Sequence, residues 1–374
     1  MLNIKQIEIV QFKIPLAKPF VTSFGSVTRR DVILVALHDD DGAVGWGEAP
    51  VLSLPLYNPE IPESVVALLS RVVAPVLKDK TFADPDAVHD ALAFIRGNEF
   101  AKSAVVMAAY DLYGKKLNKR LIDLLGGEKE RLTVSATVSI HPTVDATLAE
   151  AQGYYDRGIR QLKLKIKPGF DVAYARAMRE RFPDAALTLD ANASYVLSDE
   201  TIRTFRTCDA LNLSCLEQPL QPFDLIDHAK LRKAIRTPIA LDESVESVYD
   251  TEKALELDSC RLVNIKIARV GGLVEALRIN ALCAERNIPT WIGGMLESPV
   301  GFYANLALAT VENFDRPVDF LGAISYVEGF EEFFAVKPYA ISGESLALNI
   351  TQPGLGLELD WERLDAYRTQ TVAS

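Results

Sequence analysis

The stretch QLKLKIKPG, residues 161–169, alternates lysine with aliphatic side chains. Successive side chains of a strand point to opposite faces, so Lys163 and Lys165 share one face while Leu162, Leu164 and Ile166 share the other. The aliphatic face suits a cover of helices. The ammonium face needs anionic partners, because burying such groups alone is costly. Partners stand downstream at an even beat: Asp190 in LTLDANAS, Glu217 in CLEQPL, Asp242 in IALDES, then Lys266 in VNIKIARVGG, each 24 to 27 residues after the last. That interval holds one strand, one helix and two turns. Eight strands are predicted on this rhythm, at residues 134–140, 161–166, 186–190, 215–217, 239–242, 263–266, 290–293 and 318–321. The simplest closure is a barrel with a charge at the end of every strand from the second to the sixth. An open doubly wound sheet is the structural alternative, but it normally shows a G-x-G-x-x-G turn after its first strand, and none occurs here. The lone G-L-G at Gly354–Gly356 reads as a turn.

Working outward, residues 1–126 read as an α+β domain. Strands are expected at 4–15, 32–38 and 43–48, with a turn at 23–25, and helices at 63–73, 85–95 and 101–117, the first of them ended by Pro75. Gly126–Gly127 closes the block, residues 127–339 form the barrel, and residues 340–374 return in short strands (346–350, 356–359) toward the first domain.

Composition narrows the function. Of 374 residues, 49% are hydrophobic and 24% charged, which excludes disordered and disulfide-stapled classes. Forty basic residues against 51 acidic ones give a net charge of −11, which repels phosphate backbones and anionic membranes, so no nucleic acid or membrane partner is expected. An acidic substrate must then be captured by a local positive device. The start of the chain reads as a strand rather than a secretory signal, no run is long enough to span a membrane, and the four cysteines show no C-x-x-C spacing, which together suggest a cytoplasmic protein. A homo-oligomer is compatible with the sequence.

Three carboxylates converging at the ends of adjacent strands cannot all stay ionised in a dry barrel mouth without a cation. Oxygen-only donors, with no nearby His or Cys, suit Mg²⁺. The inert alternative is a buried network of three acids and three lysines, but the C-terminal ends of barrel strands are where such folds place chemistry. A dication holding a substrate carboxylate would stabilise the ene-diolate formed when the adjacent carbon loses a proton. Lysine can be the base if its pKa falls toward neutrality, and burial near Mg²⁺ and a second ammonium pushes that way. Lys165 and Lys266 come from opposite sides of the mouth and can flank that carbon.

The motifs K-x-K, D-x-N, E-Q-P, D-E-S and N-I-K-x-x-R-x-G-G stand in order over nearly the whole chain, and in this the sequence resembles the enolase superfamily, within it the muconate-lactonizing subgroup. The resemblance implies an α/β architecture: a modified TIM barrel, (β/α)7β, with an α+β capping domain built from both chain ends. It implies Asp190, Glu217 and Asp242 as ligands of Mg²⁺, for which Mn²⁺ can substitute. It also implies acid/base roles for Lys165 and Lys266, with Lys163 as an auxiliary charge, acting on a small-molecule carboxylate.

Within the subgroup, IGGMLESPVG (residues 292–301) is similar to the corresponding segment of o-succinylbenzoate synthases and N-succinylamino acid racemases. Gly293 and Gly294 would leave room for a succinyl or acyl arm, although tight turns explain paired glycines equally well. Met295, Glu297 and Ser298 are further pocket candidates, as is Asn192. Dipeptide epimerases of the subgroup carry D-x-D in the eighth strand, where VDFLGAISY offers only Asp319. Sugar-acid dehydratases use a seventh-strand histidine, and none of the four histidines lies there; His141 reads as a surface or supporting residue. Loops of the cap, 20–25 and 52–57, bring Phe20, Phe24, Leu52, Leu54, Leu56 and Tyr57 as a greasy lid, a composition that interdomain packing also explains, with Ser23 a further pocket candidate. The expected activity is o-succinylbenzoate synthesis in the menaquinone pathway, with N-succinylamino acid racemization as the alternative. A non-catalytic binding or structural protein keeping the fold is the reading from another class.

Overall fold

The computed structural model describes residues 1–23 and 25–373. A long hairpin of β1 (Leu2–Thr22) and β2 (Gly25–Asp39) forms the backbone of the cap, extended by β3 (Val44–Ala49) on β2 and by β4 (Lys80–Phe82) on β1. Its register shifts between Pro15 and Phe20, where proline cannot donate to the ladder. The helix Glu99–Leu117 lies directly on β3. An added Cβ at Gly47 would come within 1.9 Å of the Ala104 carbonyl oxygen, so this close backbone approach requires glycine. Pro75 does not end the helix that starts at Pro62. A π-helical turn over Leu69–Val73 precedes it, and helix resumes over Ala74–Leu77. Pro75 thus stands inside a continuous helical run, and the wider π-helical turn before it accommodates its missing N–H.

After β5 (Arg131–Thr133) come seven parallel strands: β6 (Ala136–Val138), β7 (Gln161–Lys165), β8 (Ala186–Asp190), β9 (Cys215–Glu217), β10 (Ile239–Leu241), β11 (Leu262–Ile265) and β12 (Thr290–Ile292), which pair in sequence order. The eighth, expected over 318–321, shrinks to two residues. Val318 bridges Val134 and exchanges bonds with Thr133 and Ser135, while the Asp319 N–H reaches the Ile292 carbonyl, so the ring closes. Helix begins at once, at Leu321. The architecture is the expected modified barrel with an α+β cap. β13 (Tyr339–Ser342) pairs with β14 (Ser345–Leu348) and β14 with β5, whereas β15 (Arg368–Ala373) lies antiparallel on β1 in the cap sheet. Leu162, Leu164 and Ile166 are buried under the helices in the main core. The four cysteines are free and buried, and among the described residues no helix is long and apolar enough to cross a membrane.

Candidate active site

Parallel register sets the charges side by side. Lys165 pairs with Asp190, and Asp190 with Glu217; Asp242 and Lys266 follow the last residues of β10 and β11. All are buried. Lys165 Nζ donates to Asp190 Oδ2 at 2.5 Å and to Asn192 Oδ1 at 2.9 Å. Lys163 Nζ donates to Glu217 Oε2 at 2.9 Å and to Asp319, and lies 3.7 Å from Asp190. Across the mouth Lys266 Nζ donates to Asp242 Oδ2 at 2.8 Å and to the Tyr57 hydroxyl at 3.1 Å, while Arg269 clamps the other Asp242 oxygen. Tyr57, from the cap, donates its own proton to Asp242 Oδ1 at 3.1 Å.

Burial and charge oppose each other here. Burial pulls the Lys163 ammonium down, but Asp319, Glu217 and Asp190 outweigh it and hold it well above the usual lysine range. The same contest raises Lys266, through Asp242, Tyr57 and Glu243. The expected fall in lysine basicity therefore does not reach Lys266 in this arrangement: its nearest neighbour is a carboxylate, which favours the charged form. Asp242 resists burial because Lys266 and Arg269 hold it well below the usual carboxylate range. Glu217 is pushed up to about 8, by burial first and then by Asp190, and Glu243 to about 7, by burial and then Asp242.

Among the described residues no three acids are gathered into a group that could hold a metal directly; Asp190, Glu217 and Asp242 are each engaged by cationic side chains instead. The donor chemistry nevertheless fits a hard divalent cation. Five acids, Asp190, Glu217, Asp242, Glu243 and Asp319, face four cations, and two buried oxygens, Glu243 Oε2 and Asn264 Oδ1, have no partner.

Lys165 and Lys266 line one narrow cavity, with about 50 Å³ of internal volume, roofed by the cap. Phe20, Leu52, Tyr57, Asn192 and Met295 line it as expected, joined by Leu296. Ser23 lies beside it, donating to the Asn192 carbonyl at 3.2 Å. Leu54 does not belong to it, being 61% exposed, and Phe24 lies outside the described residues. Gly293 and Gly294 do not line it either. A Cβ on Gly293 would stand 2.3 Å from Asn264 Oδ1, so that glycine makes room for a neighbouring side chain rather than a substrate arm. Gly294 faces the Asp319 carbonyl and Glu297. Glu297 and Ser298 also serve the frame. Glu297 accepts from the Met295 N–H at 2.7 Å, and Ser298 caps the helix Pro299–Ala309 while donating to the cap's buried Glu48 at 2.6 Å. His141 pairs with Glu150 at 2.9 Å.

Sequence reasoning missed Asp319 as the partner of Lys163, Arg269 as the partner of Asp242, and Arg30 in the cavity wall. Arg269 stood inside the quoted N-I-K-x-x-R motif, which was the available signal. The strand around Arg30 offered none.

A larger cavity of about 440 Å³ runs inside the barrel from Asp315, Arg316 and Glu344 to Lys163, Glu217 and Asp319.

Comparisons with known proteins show the family and the fold. Residues 4–126 match the mandelate racemase / muconate lactonizing enzyme N-terminal domain, and residues 146–363 the enolase C-terminal domain-like family. The chain is 40% identical over 366 residues to an o-succinylbenzoate synthase of Geobacillus kaustophilus, covering 98% of this chain and 96% of that one. It is 41% identical over 327 residues to an N-succinylamino acid racemase of Thermus thermophilus, covering 87% and 88%. A crystal structure of an enolase superfamily member from Listeria innocua superposes with a TM-score of 0.91 at 32% identity, over 100% of this chain and 99% of that one.

Proposed function

Because the chain belongs to the enolase superfamily, we propose that it is an o-succinylbenzoate synthase, dehydrating 2-succinyl-6-hydroxy-2,4-cyclohexadiene-1-carboxylate in menaquinone biosynthesis. The observation that carries this reading is that Lys165 and Lys266, from opposite sides of the barrel, line one cavity under an apolar cap. Relatives at 36–40% identity named for this activity support it.

Asp190, Glu217 and Asp242 would hold Mg²⁺, which Mn²⁺ can replace. When bound, the ion supplies positive charge against the substrate carboxylate and so favours the ene-diolate. The protein's own groups do the rest. Lys165, as the free amine, takes the proton from the carbon alpha to the carboxylate. Asn192 and Asp190 fix its Nζ. Lys266, kept protonated by Asp242 and Tyr57, offers its positive charge to the negative charge that develops on the opposite face. The carbon–oxygen bond then breaks, the departing hydroxyl recovers the proton from Lys165 and leaves as water, and the ring becomes aromatic. Leu52, Met295 and Leu296 shelter the ring from solvent.

The same pair of lysines supports a second reading, racemization of N-succinylamino acids by proton exchange on opposite faces of the alpha carbon, and the Thermus relative favours it. Mg²⁺-dependent aromatization of the cyclohexadiene substrate, lost on chelation, is the expected result. Background rates with that substrate, alongside rapid racemization of an N-succinylamino acid, would replace the first reading by the second. No exchange of the alpha proton with deuterated solvent in any candidate acid would leave only a non-catalytic protein.

A further inference from the structure

Arg30 lies on β2, 1% exposed, in the wall of the cavity that Lys165 and Lys266 share. A guanidinium brings five donors to a site, and burying one normally demands a carboxylate or several hydrogen bonds. Arg30 makes one hydrogen bond, from Nη2 to the Pro50 carbonyl at 2.6 Å, and its Nε has no partner. Among the described residues it forms no ion pair. The acids nearest in effect, Glu297, Glu48 and Asp31, are committed elsewhere. Glu48 accepts from Ser298 and the Gly301 N–H, Glu297 from the Met295 N–H, and Asp31 from the Ser53 hydroxyl. The two lysines are likewise taken, by Asp190 and Asp242. Arg30 is thus the cation of this cavity still lacking an anion.

Both reactions proposed above act on dicarboxylates: one carboxylate next to the reacting carbon, a second at the end of a succinyl arm. We infer that Arg30 receives the succinyl carboxylate and so sets the preference for succinyl over neutral acyl arms. The inference rests on the proposed function and deepens it. A planar fork of donors matches a carboxylate edge to edge, and the apolar surroundings of Leu52 and Met295 strengthen the pairing by excluding water. The free volume of about 50 Å³ is too small for either substrate, so the walls around Arg30 must separate to admit one.

The test is a calorimetric titration, in the presence of Mg²⁺, with o-succinylbenzoate and with 2-pentanoylbenzoate, which replaces the distal carboxylate by an alkyl end. The wild-type protein should bind the first about 100-fold more tightly, and Arg30→Met should remove that advantage while leaving the affinity for 2-pentanoylbenzoate within about threefold. Arg30→Lys should restore part of it. Equal wild-type affinities would overturn the inference without any variant, as would an equal loss for both compounds in Arg30→Met. Binding of neither compound by the wild type would count against the proposed function itself, and the inference would fall with it.

Discussion

Gly293→Ala tests how the frame behind the metal-ligand candidates is held. The new Cβ would lie 2.3 Å from Asn264 Oδ1 and 2.6 Å from Nδ2, well inside contact distance. Asn264 is wholly buried and donates from Nδ2 to Glu217 Oε1 at 2.7 Å. To clear the methyl, the amide must retreat by about 1 Å, which breaks that bond. Overpacking costs about 1–3 kcal/mol, and a lost hydrogen bond about 0.5–1.5 kcal/mol. A total of about 3 kcal/mol is expected in urea denaturation, with turnover falling because Glu217 loses its anchor. The control is Asn264→Ala, which removes the clashing amide. In that background Gly293→Ala should cost under about 1 kcal/mol, giving a coupling of roughly 2 kcal/mol. A neutral single variant, or a cost unchanged in the Asn264→Ala background, would refute this account of the glycine.

Lys165→Ala should reduce turnover by about a thousandfold or more while leaving the circular dichroism spectrum unchanged; retained activity would remove Lys165 as the base. Asp242→Asn should lower Mg²⁺ affinity and activity together, by roughly tenfold or more, in a metal titration read against turnover. Glu60 accepts the Phe100 and Ala101 N–H groups at the start of the helix Glu99–Leu117, yet burial pushes it up from 4.5 to about 7. The folded state then holds more protons than the unfolded one between those values, so this group's contribution to stability falls as pH rises through them. Wild-type stability relative to Glu60→Gln should decline by up to about 3 kcal/mol from pH 4.5 to pH 7 and level off above, in denaturation curves taken across that range.

The barrel was legible because its signals are local. Alternating residues 161–166 and acids placed one per strand end follow from periods that the chain itself carries. The eighth strand was visible as an apolar segment, but its two-residue length was not, since the closing bonds at Val318 and Asp319 are set by the ring rather than by propensity. The same holds for the strand Arg368–Ala373, polar at most positions and held by pairing with the other end of the chain. In the site, Lys163, Lys165, Asp190, Glu217, Asp242 and Lys266 are found by spacing. Arg30 meets the two lysines of the cavity across more than a hundred residues of sequence, which no periodicity reports. Gly293 shows the converse: a glycine at this strand end suggests either room for a substrate arm or a tight turn, and in the structure the space beside it is filled by Asn264.

A crystal structure of the protein grown with Mg²⁺ and o-succinylbenzoate would show whether the acids and the two lysines meet around one ion and one ligand. The expected result is one ion held by the carboxylates of Asp190, Glu217 and Asp242, with the ligand between the amines of Lys165 and Lys266. An ion bound elsewhere, or both amines turned away from the ligand, would contradict the account.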